Sequence, residues 1–253
     1  MLASLVFIVV TAACAAATGM GPRADAPDVP PLATVYKSCK NKGDVALTFD
    51  DGPYDYLEDI SKALVAAGGH GTFFFNGNNF RCIYNMADKV KYAHAHGHMI
   101  GSHTYAHKDL TTLTSDQIHN EMWLVEQALQ RIIGVTPAFM RPPYGLYNDL
   151  VRQVSDVRNQ SLVIWDFDSG DSTGSSVANS EALYAAVASK HPNNVLAVNH
   201  ETSETTAYQV LPYAIPKLKA AGYKLVTVAE CLGLPAYQHV GTPGTPDPNT
   251  WKC

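Results

Sequence analysis

Asp50 and Asp51 stand side by side at the end of the apolar run 45–49 (VALTF), and Gly52-Pro53 follows at once. Valine, leucine and phenylalanine at alternate positions suit a strand, and Gly-Pro ends it. Successive strand residues face opposite ways, so two carboxylates meet at one mouth only where the backbone curls. Their repulsion calls for a counter-charge, and a bound cation is the usual one. Taken alone, the stretch also reads as an ordinary surface turn.

His103 and His107 lie four residues apart in the stretch 103–107 (HTYAH). On a helical turn that spacing sets both rings on one side. Two imidazoles and one carboxylate make a three-ligand site with an open position, the pattern of a catalytic divalent metal. Zinc suits these ligands best, and cobalt or nickel also binds them. One aspartate then ligates, and the other is free to act as a general base. Arg141, in 141–145 (RPPYG), is expected to hold that free carboxylate through a bidentate contact. Pro142 and Pro143 stiffen the turn, so the backbone N–H of Tyr144 can face an oxyanion. His200 suits a general acid because an imidazole titrates near the working pH. Asp171 is expected to orient it and raise its pKa. His94, His96 and His98 form a second cluster at a helix end, with no carboxylate close in sequence, and read as structural.

These residues meet only if the elements between them fold one way. Strand-like runs fall at 45–49, 72–75, 98–102, 138–140, 162–167, 195–199 and 224–228. Between them, apolar residues recur at helical spacing. Leu57, Ile60, Leu64 and Ala67 make one face, and Met86, Val90 and Ala93 another. Thr114 and Gln117 form a capping box that opens a long helix, which Gly134 stops. Shorter helices follow around Leu150 and around Leu183, and a last one over 206–221 carries Pro212 and Pro216, which are expected to kink or shorten it. Seven alternations predict an α/β fold with parallel strands and helices outside. An irregular (β/α)7 barrel, TIM-barrel-like, fits better than an open dinucleotide-binding sheet, since no strand is followed by G-x-G-x-x-G. In such a barrel the chemistry collects at the C-terminal ends of the strands. The reactive residues all sit at those ends.

The chain has 253 residues, 46% of them hydrophobic, enough for a real core. A net charge of −5 excludes the basic footprint of a nucleic-acid binder. Residues 1–17 read as a signal peptide with a short apolar core and small residues at an A-x-A cleavage site. No second long apolar run follows, so no stable membrane anchor is expected, and the protein is read as secreted and monomeric. Residues 18–38 are a Pro-rich segment, 39–232 the globular part, and 233–253 a tail rich in Pro, Gly and Thr. Cys39, Cys82, Cys231 and Cys253 remain once Cys14 leaves, an even number that favours two disulfides. Three pairings exist, and Cys39–Cys231 with Cys82–Cys253 is preferred because the first would join the two ends of a closed domain. Asn159 opens a glycosylation sequon.

Read together, 48–53 (TFDDGP), 103–107 (HTYAH) and 141–144 (RPPY) resemble the motifs of the polysaccharide deacetylases of carbohydrate esterase family 4, the NodB-homology fold. The resemblance covers about 39–232 and is nearest the fungal chitin deacetylases, through Asn76-Gly77-Asn78-Asn79 and the placement of Cys39 and Cys231. It implies Asp50 as base, Asp51, His103 and His107 as metal ligands, Arg141 as the tether of Asp50, and Tyr144 as a backbone donor. It implies Asp171 as the residue that tunes the acid and His200 as that acid. Ser172 and Val198 stand where the family usually has a bulky aromatic residue and a leucine shaping the substrate pocket. The implied activity is removal of N-acetyl groups from N-acetylglucosamine polymers such as chitin. An acetylxylan esterase or a peptidoglycan deacetylase would use the same machinery, and an idle carbohydrate-binding protein is the reading from a different class.

Overall fold

A computed structural model describes residues 30–253 of the chain. The expected signal peptide, Cys14 and most of the Pro-rich segment lie outside the described residues. The strands are β1 (Val35–Tyr36), β2 (Asp44–Gly52), β3 (Thr72–Phe75), β4 (Met99–Ser102), β5 (Val135–Pro137), β6 (Phe139–Met140), β7 (Ser161–Val163), β8 (Phe167–Asp168), β9 (Val195–His200), β10 (Lys224–Leu225) and β11 (Tyr237–Val240). The helices are α1 (Leu57–Ala66), α2 (Ala87–Ala95), α3 (Ser115–Ile133), α4 (Asp149–Val157), α5 (Val177–Lys190), α6 (Leu211–Ala220) and α7 (Val228–Leu232).

Parallel strands run in the order β1-β7-β6-β4-β3-β2-β9-β8, and β10 lies against the start of β2. The fold is thus the expected α/β irregular barrel. β2 is central and buried at eight of its nine positions. Val45, Leu47 and Phe49 point into one apolar cluster with Phe73, Phe75 and the inner faces of α1, α3 and α6. Ala46 and Phe74 point the other way, into a second cluster with Leu196 and Cys231. Burial on both faces is what makes these strands near-continuous apolar runs.

Local signals hold where they were strongest. Thr114 and Gln117 form both halves of the capping box, and Gly134 closes α3 in the left-handed conformation at φ 74°. Pro212 sits at the start of α6, and a π-helical turn over Thr206–Val210 precedes it, so the expected single helix is built in two pieces.

Other expectations are corrected. The apolar run 162–167 is not one strand. β7 pairs with β1 and β6, whereas β8 pairs with β9 near the opposite end of the strand order. Ile164, Trp165 and Asp166 cross between them, and Asp166 accepts the Leu196 N–H at 2.7 Å. The last residues take part in the fold: β11 pairs antiparallel with β5, and the compact unit runs Pro31–Cys253. Cys39 bonds Cys231, and Cys82 bonds Cys253, the preferred pairing. Asn159 is exposed in the turn after α4. Among the described residues, no helix is long and apolar enough to cross a membrane.

Candidate active site

The paired aspartates converge because β2 bulges. Its register against β3 shifts between Asp50 and Gly52, and Asp51 takes a positive φ of 71°. The extra residue turns Asp51 toward the same mouth as Asp50. Among the described residues six non-glycine residues have positive φ, and four of them, Asp51, Thr104, His107 and Tyr144, are at this mouth. Strain of this kind persists where the surroundings over-determine it. Here the surroundings are visible. The Asn76 side chain donates to the carbonyls of His103 (2.5 Å) and Thr104 (3.0 Å). Glu121 accepts the Ala106 N–H at 2.7 Å. His103 and His107 therefore converge from a braced loop, not from the helical turn that their spacing suggested.

The Asp51 Oδ1 lies 3.4 Å from His107 Nε2 and 3.7 Å from His103 Nε2. One ligand atom from each of the three residues falls within 4.8 Å of the others. His103 Nδ1 is 2.7 Å from the Arg141 carbonyl, which leaves Nε2 free to ligate. Burial, with His103 nearby, lowers the pKa of His107 despite Asp51 and Asp50, which keeps the ring neutral, the form a metal takes. One carboxylate and two imidazoles fit a divalent cation with an open coordination position.

Asp50 stands beside this trio, 2% exposed. Arg141, fully buried, donates from Nη1 to Asp50 Oδ1 at 2.8 Å. The contact is not bidentate. Nε and Nη2 go instead to the carbonyls of Val163 and Ile164, each at 3.0 Å, and Nη1 also meets Thr48 Oγ1. The guanidinium thus ties Asp50 to the crossing between β7 and β8.

On the far side, His200 Nδ1 meets Asp171 Oδ1 at 2.7 Å, and Asp171 Oδ2 accepts the His200 N–H and the Thr206 hydroxyl. Burial alone would lower the His200 pKa. The Asp171 hydrogen bond and the charges of Asp50, Asp171 and Asp51 outweigh it and carry it to about 9. Burial would raise Asp171, but its bonds to His200 and Thr206 hold it below its ordinary value. His200 is therefore a protonated imidazolium at neutral pH.

A cleft of about 400 Å³ lies between these groups, lined by Asp50, Asp51, His103, His107, Tyr144 and His200, and also by Ser172 and Val198. Tyr144 is 64% exposed, with its ring edge-on to His107 at 4.7 Å. Two residues were not read from the sequence. Trp165 lines the cleft from the β7–β8 crossing, hidden inside an apolar run. Glu201, fully buried, accepts the Tyr54 N–H through Oε1 at 2.5 Å and leaves Oε2 without a partner. That oxygen lies where a Gly52 side chain would be. Asp171 aside, nothing in a lone glutamate after His200 announces such a position. The second histidine cluster is structural as expected: His98 is buried, bonded to Ser61 Oγ at 2.7 Å and to the Gly71 N–H, and burial drives its pKa down to about 4.

A family model for polysaccharide deacetylases matches residues 37–163. The chain belongs to that family. The chitin deacetylase of Colletotrichum lindemuthianum is 34% identical over 230 residues, 88% of this chain and 92% of that one. Its solved structure superposes with a TM-score of 0.77 over 83% of this chain and 98% of that one, at 32% identity. A chitin deacetylase of Arthroderma benhamiae is 35% identical over 83% of this chain, which spans only 57% of that longer protein. A structure of a peptidoglycan N-acetylglucosamine deacetylase gives a TM-score of 0.73 at 28% identity, covering 82% of this chain and 96% of that one. The three stretches that resemble the family's motifs lie at the ends of β2, β4 and β6, on the mouth just described.

Proposed function

We propose that this polysaccharide deacetylase is a secreted, metal-dependent amidohydrolase that removes N-acetyl groups from N-acetylglucosamine polymers, chitin or chito-oligosaccharides. Acetate and a glucosamine unit are the products. The observation that carries the reading is a free carboxylate, Asp50, fixed beside a three-ligand trio and facing an imidazolium across one cleft. An amide needs both functions, because the bare amine anion does not leave.

Asp51, His103 and His107 would hold the ion. A divalent cation there supplies Lewis acidity, making water acidic and polarising the amide carbonyl, and zinc is the ion these ligands favour. Asp50 accepts the proton of the attacking water as the carbonyl carbon becomes tetrahedral. Arg141 keeps Asp50 aimed. The Tyr144 backbone N–H offers a donor to the developing oxyanion. His200, held by Asp171 through Nδ1, gives its other ring proton to the departing nitrogen as the C–N bond breaks. Two disulfides suit an oxidising compartment outside the cell.

The experiment is acetate release from chitin oligomers by zinc-loaded protein, with mass spectrometry to find which sugar loses its acetyl group. Release from acetylated xylan alone would contradict the proposal. Peptidoglycan is the second reading, favoured by the 0.73 superposition on an enzyme of that name, and glycan strands tested in the same assay separate the two.

A further inference from the structure

Resting on the reading of Asp51, His103 and His107 as one metal site, the segment between the two ligand-bearing strands goes one step further. β2 delivers Asp51 and β4 leads to the histidines, and β3 lies between them in the sheet with no ligand of its own. β3 runs straight into 76–79 (NGNN). Asn76 is 1% exposed. Its backbone N–H donates at 2.8 Å to the carbonyl of Gly52, the residue after Asp51. Its side chain serves the opposite neighbour, through the carbonyls of His103 and Thr104. One residue therefore holds both ligand turns. Each turn contains a residue forced to positive φ, Asp51 at 71° and Thr104 at 70°.

The side-chain amides continue the connection. Asn79 Nδ2 lies 3.2 Å from Asn76 Oδ1 and 3.4 Å from Asp51 Oδ1. Both oxygens are acceptors, so the two Asn79 hydrogens serve one each. The Asn76 nitrogen gives its own two to the histidine-loop carbonyls. A line of hydrogen bonds thus runs from the Asp51 carboxylate through Asn79 and Asn76 to the backbone of His103. Asp51 Oδ1 is also the oxygen that faces both imidazoles. Asn76 has to give two hydrogens and accept one. Aspartate has none to give and serine has one, so an amide of this length is what the place requires.

The backbone that carries the amides is fixed as well. Gly77 and Asn78 donate to the carbonyls of Thr104 and Tyr105 at 3.3 and 2.7 Å. Gly77 passes so close to the Tyr105 ring that no Cβ fits. Cys82, bonded to Cys253, bridges back to Asn78 and closes the loop. Hydrogen bonds behind metal ligands set their orientation and the affinity for the ion.

We propose that Asn76 and Asn79 are a positioning pair for the metal site, setting Asp51 against His103 across the width of β3. They act through the ligands, not on the ion.

The test reads the ion directly. Zinc affinity is measured by competition with a chelator, and the visible absorption of the cobalt-loaded protein reports the ligand geometry. Asn79→Ala is expected to weaken zinc binding roughly tenfold and Asn76→Ala by up to roughly 100-fold, the range of such outer supports. Both should alter the cobalt bands. Because the two amides act in line, the double substitution should lose less than the product of the single losses. Asn78→Ala, whose exposed side chain takes no part in this line, should match the parent in both readouts. Asn79 is exposed, so metal-free Asn79→Ala and parent should melt together, and that variant alone decides if Asn76→Ala fails to fold. Parental zinc affinity and cobalt bands in Asn79→Ala overturn the proposal, as do single losses that multiply in the double variant, and either leaves the metal site standing. A parent protein that takes up neither zinc nor cobalt overturns both.

Discussion

The Arg141 guanidinium, with no exposed surface, donates to Asp50 Oδ1 at 2.8 Å. Two further donors end on the Val163 and Ile164 carbonyls, so one side chain couples Asp50 to the crossing between β7 and β8. Arg141→Met removes the charged partner of Asp50 and leaves a buried carboxylate alone. Breaking one half of a buried pair costs about 3–5 kcal/mol. A chemical denaturation curve is expected to show a loss of that order. The surviving protein is also expected to lose activity, since nothing then aims Asp50 at the cleft. A variant as stable and as active as the parent would remove Arg141 from this role.

In the proposed mechanism Asp171 and His200 set the alkaline limit. The acid must be protonated to act, and its pKa is raised to about 9. Activity is therefore expected to persist to near that pH and fall above it. Asp171→Asn removes the hydrogen bond and one of the charges that raise the pKa, so the alkaline limb should shift down, toward the ordinary histidine value. Stability follows the same sign. Because the folded pKa exceeds the unfolded one, the protonated pair stabilises fully below about 6.5, and that contribution fades as pH climbs toward 9. Identical alkaline limbs in parent and variant would sever the link between the two residues.

Glu201 braces the metal-ligand turn from below. Its Oε1 accepts the Tyr54 N–H, its Oε2 packs on Gly52, and burial raises its pKa well above its ordinary value. A glutamine keeps the same shape and the same acceptor. Glu201→Gln should keep zinc affinity near that of the parent. Glu201→Ala should lower it by roughly 10–100-fold, the usual size of an outer-sphere support. Zinc titration against a competing chelator reads the difference, and equal affinities for all three proteins would leave Glu201 a packing residue only.

The Cys39–Cys231 bond closes 192 residues of sequence, joining the entrance to β2 with the last helix of the barrel. Replacing both cysteines by serine should lower stability by about 2–5 kcal/mol, read from the denaturation midpoint under non-reducing conditions. The cleft residues keep their positions in this reading, so kcat at low temperature should change little.

Where the sequence was legible, a local rule and a buried environment agreed. The Thr114–Gln117 box and Gly134 bounded α3 because caps act within one turn. β3 was read to its exact ends since its four residues are apolar and buried on both faces. The candidate site was legible because its side chains are chemically unusual and sit at strand ends. Misreadings came from non-local causes. The split of 162–167 depends on which strands flank each half, and no residue in the run marks it. β5 and β11 are short and pair only with each other, so neither looks like a strand alone. The i,i+4 spacing of His103 and His107 suggested a helix, yet their convergence comes from positive φ at Thr104 and His107. Glu201 and Trp165 carry no pattern at all: one is a single acid beside a histidine, the other a ring within an apolar stretch.

The central claim is that Asp51, His103 and His107 grip one divalent ion beside a carboxylate that is not needed to hold it. Zinc titration of chelator-stripped protein tests this most directly, with the parent, Asp50→Asn, Asp51→Asn and His107→Ala compared by calorimetry. One tight zinc site in the parent and in Asp50→Asn, with binding weakened by orders of magnitude in the other two, is the predicted result. Zinc bound equally well without Asp51 or His107, or lost with Asp50 alone, would contradict it.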